Sequence, residues 1–191
     1  MYPHAEWMAK EIEKSQGGIQ KIMEIGVFKG YLIKAILKRY HDNISEYWGV
    51  DPWVPMHSQW RRDSVRPEVW NKHYFYVARL MRFFPKLHII RSTSAQAAPL
   101  FPEGYFDLVF IDGCHFYKEV LDDIKNYLPL VRKGGILSGH DYTNIKGEIE
   151  VKKAVDEFFV NEILEIIEIP EEQRKKGKNP GLSTIWVYRK D

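Results

Sequence analysis

The sequence predicts an α/β fold, a Rossmann-like, doubly wound and mostly parallel seven-stranded sheet with an antiparallel last strand. Three observations carry this expectation. Short apolar runs alternate with helical patterns along the chain, with no internal repeat and no low-complexity linker. The run Lys21–Ile25 ends at Gly26-Val27-Phe28-Lys29-Gly30 and opens onto a helical pattern, and the next run, Tyr47–Val50, closes on Asp51. The last two runs, Ile163–Ile169 and Ser183–Tyr188, are joined by a charged, turn-forming segment, Glu171–Gly181, without helical periodicity. They therefore form an antiparallel, hairpin-like pair.

Each element has its own signal. Met1–Gln16 is an amphipathic lead-in helix stopped by Gly17-Gly18. Strands are expected at Ile19–Ile25, Tyr47–Val50, Leu87–Arg91, Phe106–Ile111, Gly135–Ser138, Ile163–Ile169 and Ser183–Tyr188. Helical patterns cover Tyr31–Tyr40, a stretch between Pro67 and Phe84, Tyr117–Leu128 and Glu148–Val160. At 191 residues the chain suits one domain spanning 1–191 with a substantial core. Hydrophobic residues at 45% and charged residues at 28% argue against disorder and against a membrane span. The N-terminal stretch lacks the apolar core of a signal peptide, so a cytoplasmic location is expected. Cys114 is the one cysteine, which excludes an intramolecular disulfide and a multi-cysteine zinc site. A formal net charge of +2 is too small to argue nucleic-acid binding.

In a strand–loop–helix–strand unit, a glycine loop and a carboxylate at neighbouring strand ends mark a nucleoside-binding edge. The Asp51 carboxylate suits a pair of ribose hydroxyls. A dinucleotide fingerprint wants three glycines, so that a pyrophosphate can sit against the helix amides. Here Val27, Phe28 and Lys29 fill the space between Gly26 and Gly30, and Glu24 precedes them. That pattern leaves no tight phosphate cradle and disfavours a nicotinamide cofactor. It resembles the acid-x-Gly-x-x-x-Gly motif of class I S-adenosylmethionine-dependent methyltransferases, whose ligand brings an ammonium and a carboxylate instead of phosphates.

The second half brings the chemistry. The buried run Phe106–Ile111 delivers Asp112 and His115 to its carboxyl end, and Gly135–Ser138, after the Lys133-Gly134-Gly135 turn, delivers His140 and Asp141. The four should converge at the ligand-facing end of the sheet. Each also has an ordinary reading. Asp112 could cap the following helix, His115 could be an exposed loop residue, and Asp141 could cap a turn.

Ile111-Asp112-Gly113, one residue, His115, one residue, Tyr117, then an amphipathic helix and Gly134-Gly135 leading to His140-Asp141-Tyr142, resembles the methyltransferase family that includes macrocin-type sugar O-methyltransferases. The similarity runs from about Lys21 to Phe159. It implies S-adenosylmethionine as cofactor, with Glu24 and the Gly26–Gly30 loop at the methionine end, Asp51 at the ribose and Ser94 on the adenine side; Asp112 borders the cofactor too. Ser94 could equally be a helix N-cap. Related metal-dependent enzymes imply a divalent metal (magnesium, manganese or iron) held by Asp112, His140 and Asp141, with His115 as the catalytic base. Two departures bear on the metal. Cys114 stands where many relatives have a third acid, and His140 offers nitrogen where magnesium prefers oxygen. The ion is then softer, such as manganese or iron, or the site works without one. A bound ion would acidify a hydroxyl, and a base near neutral pKa would take its proton.

Pro52–Lys86 is longer than a helix connection needs. It carries Trp53, Trp60, Trp70, Tyr74, Phe75, Tyr76, Phe83 and Phe84 among Arg61, Arg62, Arg66, Lys72, Arg79, Arg82 and Lys86, against Asp63 and Glu68. Either it is an amphipathic helix with a solvated basic face, or residues 52–86 form a lid for an anionic or sugar-like acceptor. The expected activity is O-methylation of a small hydroxylated metabolite. A nicotinamide-dependent oxidoreductase and a non-catalytic S-adenosylmethionine-binding protein are the alternatives. The partner expected is a small-molecule acceptor, with no membrane and no nucleic acid; a homo-oligomer is left open.

Overall fold

A computed structural model describes residues 3–54, 66–145, 148–168 and 184–191. Helix α1 (Pro3–Lys14) leads into β1 (Lys21–Ile25), followed by α2 (Tyr31–Tyr40), β2 (Glu46–Val50), α3 (Pro67–Leu80), β3 (Leu87–Ile90) and a single turn, α4 (Ser94–Ala97). Then come β4 (Phe106–Ile111), α5 (Tyr117–Tyr127), β5 (Val131–Gly139), β6 (Asn144–Ile145), β7 (Ile149–Glu150), α6 (Val151–Phe158), β8 (Leu164–Ile167) and β9 (Ile185–Arg189). The seven-stranded sheet has the order β3-β2-β1-β4-β5-β9-β8. β9 pairs antiparallel with both β5 and β8, and the other strand pairs are parallel. The antiparallel strand is last in the chain, as expected, and next to last in the sheet.

Period-two alternation sends side chains to both faces, and each face is covered. Ile22 joins α1, α2 and α3 in one apolar layer, through Met8, Ile12, Ile33, Leu37 and Val77. Met23 and Ile25 join α4, α5 and α6 in the other, through Ala97, Ile124, Tyr127 and Val155. At the base of β4, Asp107 Oδ2 accepts the backbone N–H groups of Gln20 at 2.8 Å and Lys21 at 2.7 Å, and its other oxygen pairs with Arg132. That carboxylate fixes where the lead-in helix hands over to the sheet. No described helix is long and apolar enough to cross a membrane.

Three details differ from the sequence expectation. β5 begins at Val131 and runs straight through Lys133-Gly134-Gly135, with a register shift against β4 between Phe106 and Leu108. The expected turn is a bulge within a strand, made possible by Gly134 at φ 69°. Thr93, not Ser94, caps α4, its side chain accepting the Gln96 N–H. The β6–β7 hairpin, one short pair of bridges, left no readable periodicity and precedes an α6 that starts at Val151. The Glu171–Gly181 connection and Trp60, Arg61, Arg62 and Asp63 of the expected lid lie outside the described residues.

The sheet reverses its order of growth between β1 and β4, the switch point at which open α/β sheets bind their ligands. Gly26 sits there at φ 89°, and a Cβ on it would lie 2.1 Å from the carbonyl oxygen of Asp112. Two strand-end loops touch backbone to backbone. Gly26→Ala must both adopt a left-handed conformation and push that loop away, and should destabilise the fold by about 2 kcal/mol or more. Denaturant unfolding of the variant checks this; an unchanged midpoint would contradict the close approach.

Candidate active site

The glycine loop is held in place by the carboxylate expected to face the ribose. Asp51 Oδ2 accepts the Phe28 N–H at 2.8 Å and Oδ1 accepts the Trp53 N–H at 2.6 Å. Trp53 returns to the same loop, donating its indole N–H to the Phe28 carbonyl at 2.8 Å, and its ring is fully buried. Phe28 and Trp53 both have positive φ, at 49° and 45°. Such backbone persists where surrounding contacts over-determine it. Burial raises the Asp51 pKa, opposed by the N–H groups of Phe28 and Trp53. A carboxylate has about four lone-pair sites, so these bonds leave capacity for ribose hydroxyls.

Glu24 is buried, with Oε2 accepting the Tyr47 hydroxyl at 2.8 Å. Burial pushes its pKa well up, and the like charges of Asp112 and Asp51 add to the rise despite the Tyr47 bond. Three carboxyl groups thus share the ends of β1, β2 and β4. Gly30, at φ 67°, starts α2, and a Cβ there would lie 2.9 Å from Val77 of α3. Phe28 packs on Trp70 at 5.6 Å and His73 at 5.1 Å, ring centre to ring centre. Helix α3, from the expected lid segment, therefore rests on the glycine loop.

On the other side of the sheet, Ser94 begins α4. Its carbonyl accepts the Tyr127 hydroxyl at 2.9 Å, and its side chain bonds Asp123. Burial raises the Asp123 carboxyl to about 6 in spite of that bond. Ser94 is tied to α5 rather than left as a loose loop residue. Asp123 was invisible to motif reasoning because it looks like one more acid on an amphipathic helix.

Asp112, His115, His140 and Asp141 do come together. His115 Nε2 lies 3.6 Å from Asp112 Oδ1 and 3.5 Å from Asp141 Oδ2. His140 Nδ1 lies 3.7 Å from Asp112 Oδ1 and 3.2 Å from Asp141 Oδ1. Most of these are ion-pair contacts, too long for strong hydrogen bonds. Burial alone would lower the pKa of both imidazoles, but Asp112 and Asp141 outweigh it and hold both above the ordinary 6.5. Burial would raise Asp112, yet His115, His140 and His4 hold it below its usual value. Asp141 stands in the left-handed region at φ 52°. The α5 N-cap position belongs to Phe116 and has no side-chain cap, so Asp112 is not a helix cap. Asp112, His115 and Asp141 each offer a ligand atom within 4.8 Å of the others, a spacing that fits one divalent cation. The expected triad named His140 where this grouping has His115.

A fifth residue, His4 of α1, completes the cluster. Its ring meets the His140 ring edge-on at 4.9 Å and 71°, and stacks on Phe110 at 6.0 Å. Burial drives its pKa down to about 4, so it stays neutral beside two charged neighbours. The signal was in the spacing: His4 precedes Met8 and Ile12 at helical intervals, on the face that packs inward.

Residues 23–142 match a family described as a methyltransferase domain. The chain belongs to this methyltransferase family. The match is not to an oxidoreductase family. A protein of Acanthamoeba polyphaga mimivirus, "Uncharacterized protein R132", is 27% identical over 142 residues, 70% of this chain and 57% of its own length. The methyltransferase chain thus spans little more than half of that relative. Among solved structures, it resembles a candidate caffeoyl-CoA O-methyltransferase from Staphylococcus aureus (TM-score 0.67, 14% identity, 100% of this chain and 84% of that one). It also resembles the S-adenosylhomocysteine-bound Podospora anserina methyltransferase PaMTH1 (0.61, 14%, 98% and 78%). A Burkholderia thailandensis O-methyltransferase family protein is similar as well (0.64, 12%, 98% and 56%). At these identities the likeness shows the shared fold.

Removing the Asp51 carboxylate leaves two loop N–H groups without their acceptor. Asp51→Ala should lower stability by about 1.5–3 kcal/mol, the range for hydrogen bonds to a charged group, before any ligand is added. Thermal unfolding of the ligand-free protein measures this, and an unshifted midpoint would remove Asp51 from its clamping role.

Proposed function

We propose that this methyltransferase transfers a methyl group from S-adenosylmethionine to a hydroxyl of a small metabolite, with His115 as the general base. The observation that carries the reading is the convergence of Asp112, His115, His140 and Asp141 at the ends of β4 and β5, beside the glycine loop. S-adenosylmethionine supplies a methyl group already activated on a positive sulfonium. Its two cationic centres suit the crowded carboxyls of Glu24, Asp51 and Asp112, whose mutual repulsion they would relieve. Asp51 has lone pairs left for the ribose, and Ser94 stands on the adenine side of the same edge. The PaMTH1 likeness supports this choice of donor.

Methyl transfer needs the acceptor oxygen in line with the sulfonium carbon, and orientation supplies much of the rate. As the new O–C bond forms and the S–C bond breaks, the hydroxyl proton passes to His115 Nε2. Asp112 and Asp141 stabilise the imidazolium that results. The face of α3 and its surroundings suits a sugar-like or anionic acceptor of the macrocin kind: Arg91 lies 4.6 Å over the Tyr74 ring, and Trp70 and His73 flank Phe28. Residues 52–86 serve as the lid in this reading.

The grouping of Asp112, His115 and Asp141 within 4.8 Å favours a second reading, in which these residues hold a divalent cation that acidifies the acceptor hydroxyl. A coordinating imidazole cannot also take the proton. Chelation therefore decides the role of His115. Transfer that survives EDTA leaves His115 as the base; transfer lost with EDTA and restored by Mn²⁺ assigns the group to a cation.

For the base, His115→Ala should cut kcat by roughly a hundredfold or more while S-adenosylhomocysteine affinity stays unchanged. Full activity in the variant would make His115 a loop residue. The pH dependence follows from the sign of the shift. A base must be neutral, and the carboxylates hold His115 above 6.5, so kcat should fall on the acid side of a limb lying above that value. Asp112→Asn removes part of that support and should move the limb to lower pH; a limb that stays in place would mean that another group titrates.

A further inference from the structure

His4 belongs to no motif and comes from outside the matched span, residues 23–142. Yet α1 brings it into the cluster at the ends of β4 and β5. Its ring meets His140 edge-on at 4.9 Å and lies against Phe110, the next-to-last residue of β4. Across that ring, His140 Nδ1 faces Asp141 Oδ1 at 3.2 Å and Asp112 Oδ1 at 3.7 Å. The last torsion of a histidine side chain is broad and nearly two-fold, so little in the residue itself chooses which ring edge faces the carboxylates. A flipped ring would present carbon to Asp141. Asp141 selects Nδ1 over carbon, and the edge-to-face contact with His4, which has a defined geometry, sets the plane in which the ring lies.

We propose that His4 is a positioning residue for the transfer site: by packing edge-on against His140, it holds that ring in the plane from which Nδ1 reaches Asp141 Oδ1 and Asp112 Oδ1, which leaves Asp141 Oδ2 to His115. The contact is between ring and ring, so another aromatic ring at position 4 should hold His140 in the same way. Helix α1 is thereby a working wall of the site, not only a cover for the sheet. The inference rests on the reading of this cluster as the place where the acceptor proton is lost.

The test compares His4→Ala with His4→Phe in the full chain, and His4→Gln replaces the alanine variant should that protein fail to fold. Two readouts are taken: kcat with S-adenosylhomocysteine affinity, and the His140 ring nitrogens by ¹⁵N NMR of the ligand-free protein. His4→Ala should shift or broaden the His140 signals and lower kcat about tenfold, the usual scale for losing an outer partner of a working side chain, with cofactor affinity within about twofold. His4→Phe should restore both. Unchanged His140 signals in His4→Ala overturn the proposal, and so does a His4→Phe protein as impaired as the alanine variant. Failure of the underlying reading looks different: Asp141→Asn would then keep full methyl transfer, whatever the His4 variants do to the NMR signals.

Discussion

The site depends on one steric fact, the absence of room for a side chain at Gly26. The carbonyl of Asp112 lies where a Cβ would be, 2.1 Å away, and the ladder is sealed on both sides by Gly26 N–H to Val50 O at 2.9 Å and Asp112 N–H to Ile25 O at 2.8 Å. The ends of β1, β2 and β4 are thereby drawn to one point. Asp51 reaches across it to the Phe28 amide, and Asp112 leaves it toward the two histidines in the loops that follow β4 and β5. Both halves of the site, the glycine loop and the carboxylate–imidazole cluster, hang from the same backbone contact.

Charge is arranged around that point with opposite signs on its two sides. Toward the glycine loop, burial and the like charges of Asp112 and Asp51 raise Glu24, so a negative charge on it is costly there. Toward α1 and β5, two imidazoles are held protonated more readily than free histidine, and the third, His4, is kept neutral by burial. A cationic donor suits the first side and an acceptor about to lose a proton suits the second. The two requirements of methyl transfer thus match two environments separated by little more than the Asp112 side chain.

Much of the architecture was legible because it rests on periodicity. The strands are apolar runs with turn residues at their ends, and the glycine loop announces a close approach. The helix-free connection before Ser183 was enough to expect an antiparallel pair. What stayed hidden was decided by tertiary contacts. The Lys133-Gly134-Gly135 stretch looks like a turn, but pairing with β4 and β9 draws it into β5 as a bulge. Thr93 and Ser94 are both competent caps, and only the path of the chain selects Thr93. In the site, Asp112, His115, His140 and Asp141 were readable as strand-end residues. His4 was readable only as an inward-facing position, by its spacing to Met8 and Ile12, since nothing local says that an N-terminal helix packs over the end of β4.

Trp53 shows why aromatic content alone misjudges the segment after β2. Counted with its neighbours, it reads as part of an acceptor-binding face. In the fold it is fully buried, packed on Tyr74 at 5.3 Å, and bonded at both its backbone and indole N–H groups to Asp51 and Phe28. Its ring is thus part of the glycine loop's support. Among the described aromatic residues of this segment, Phe75 at 60% exposure, Phe83 at 72% and Tyr76 at 44% stay outside. Arg91 ties α3 to Trp53, lying over Tyr74 while its guanidinium reaches the Trp53 carbonyl and the Asn71 side chain. A displacement of α3 would therefore be felt at Asp51 through Trp53. Helix α3 and the glycine loop are thus mechanically one unit.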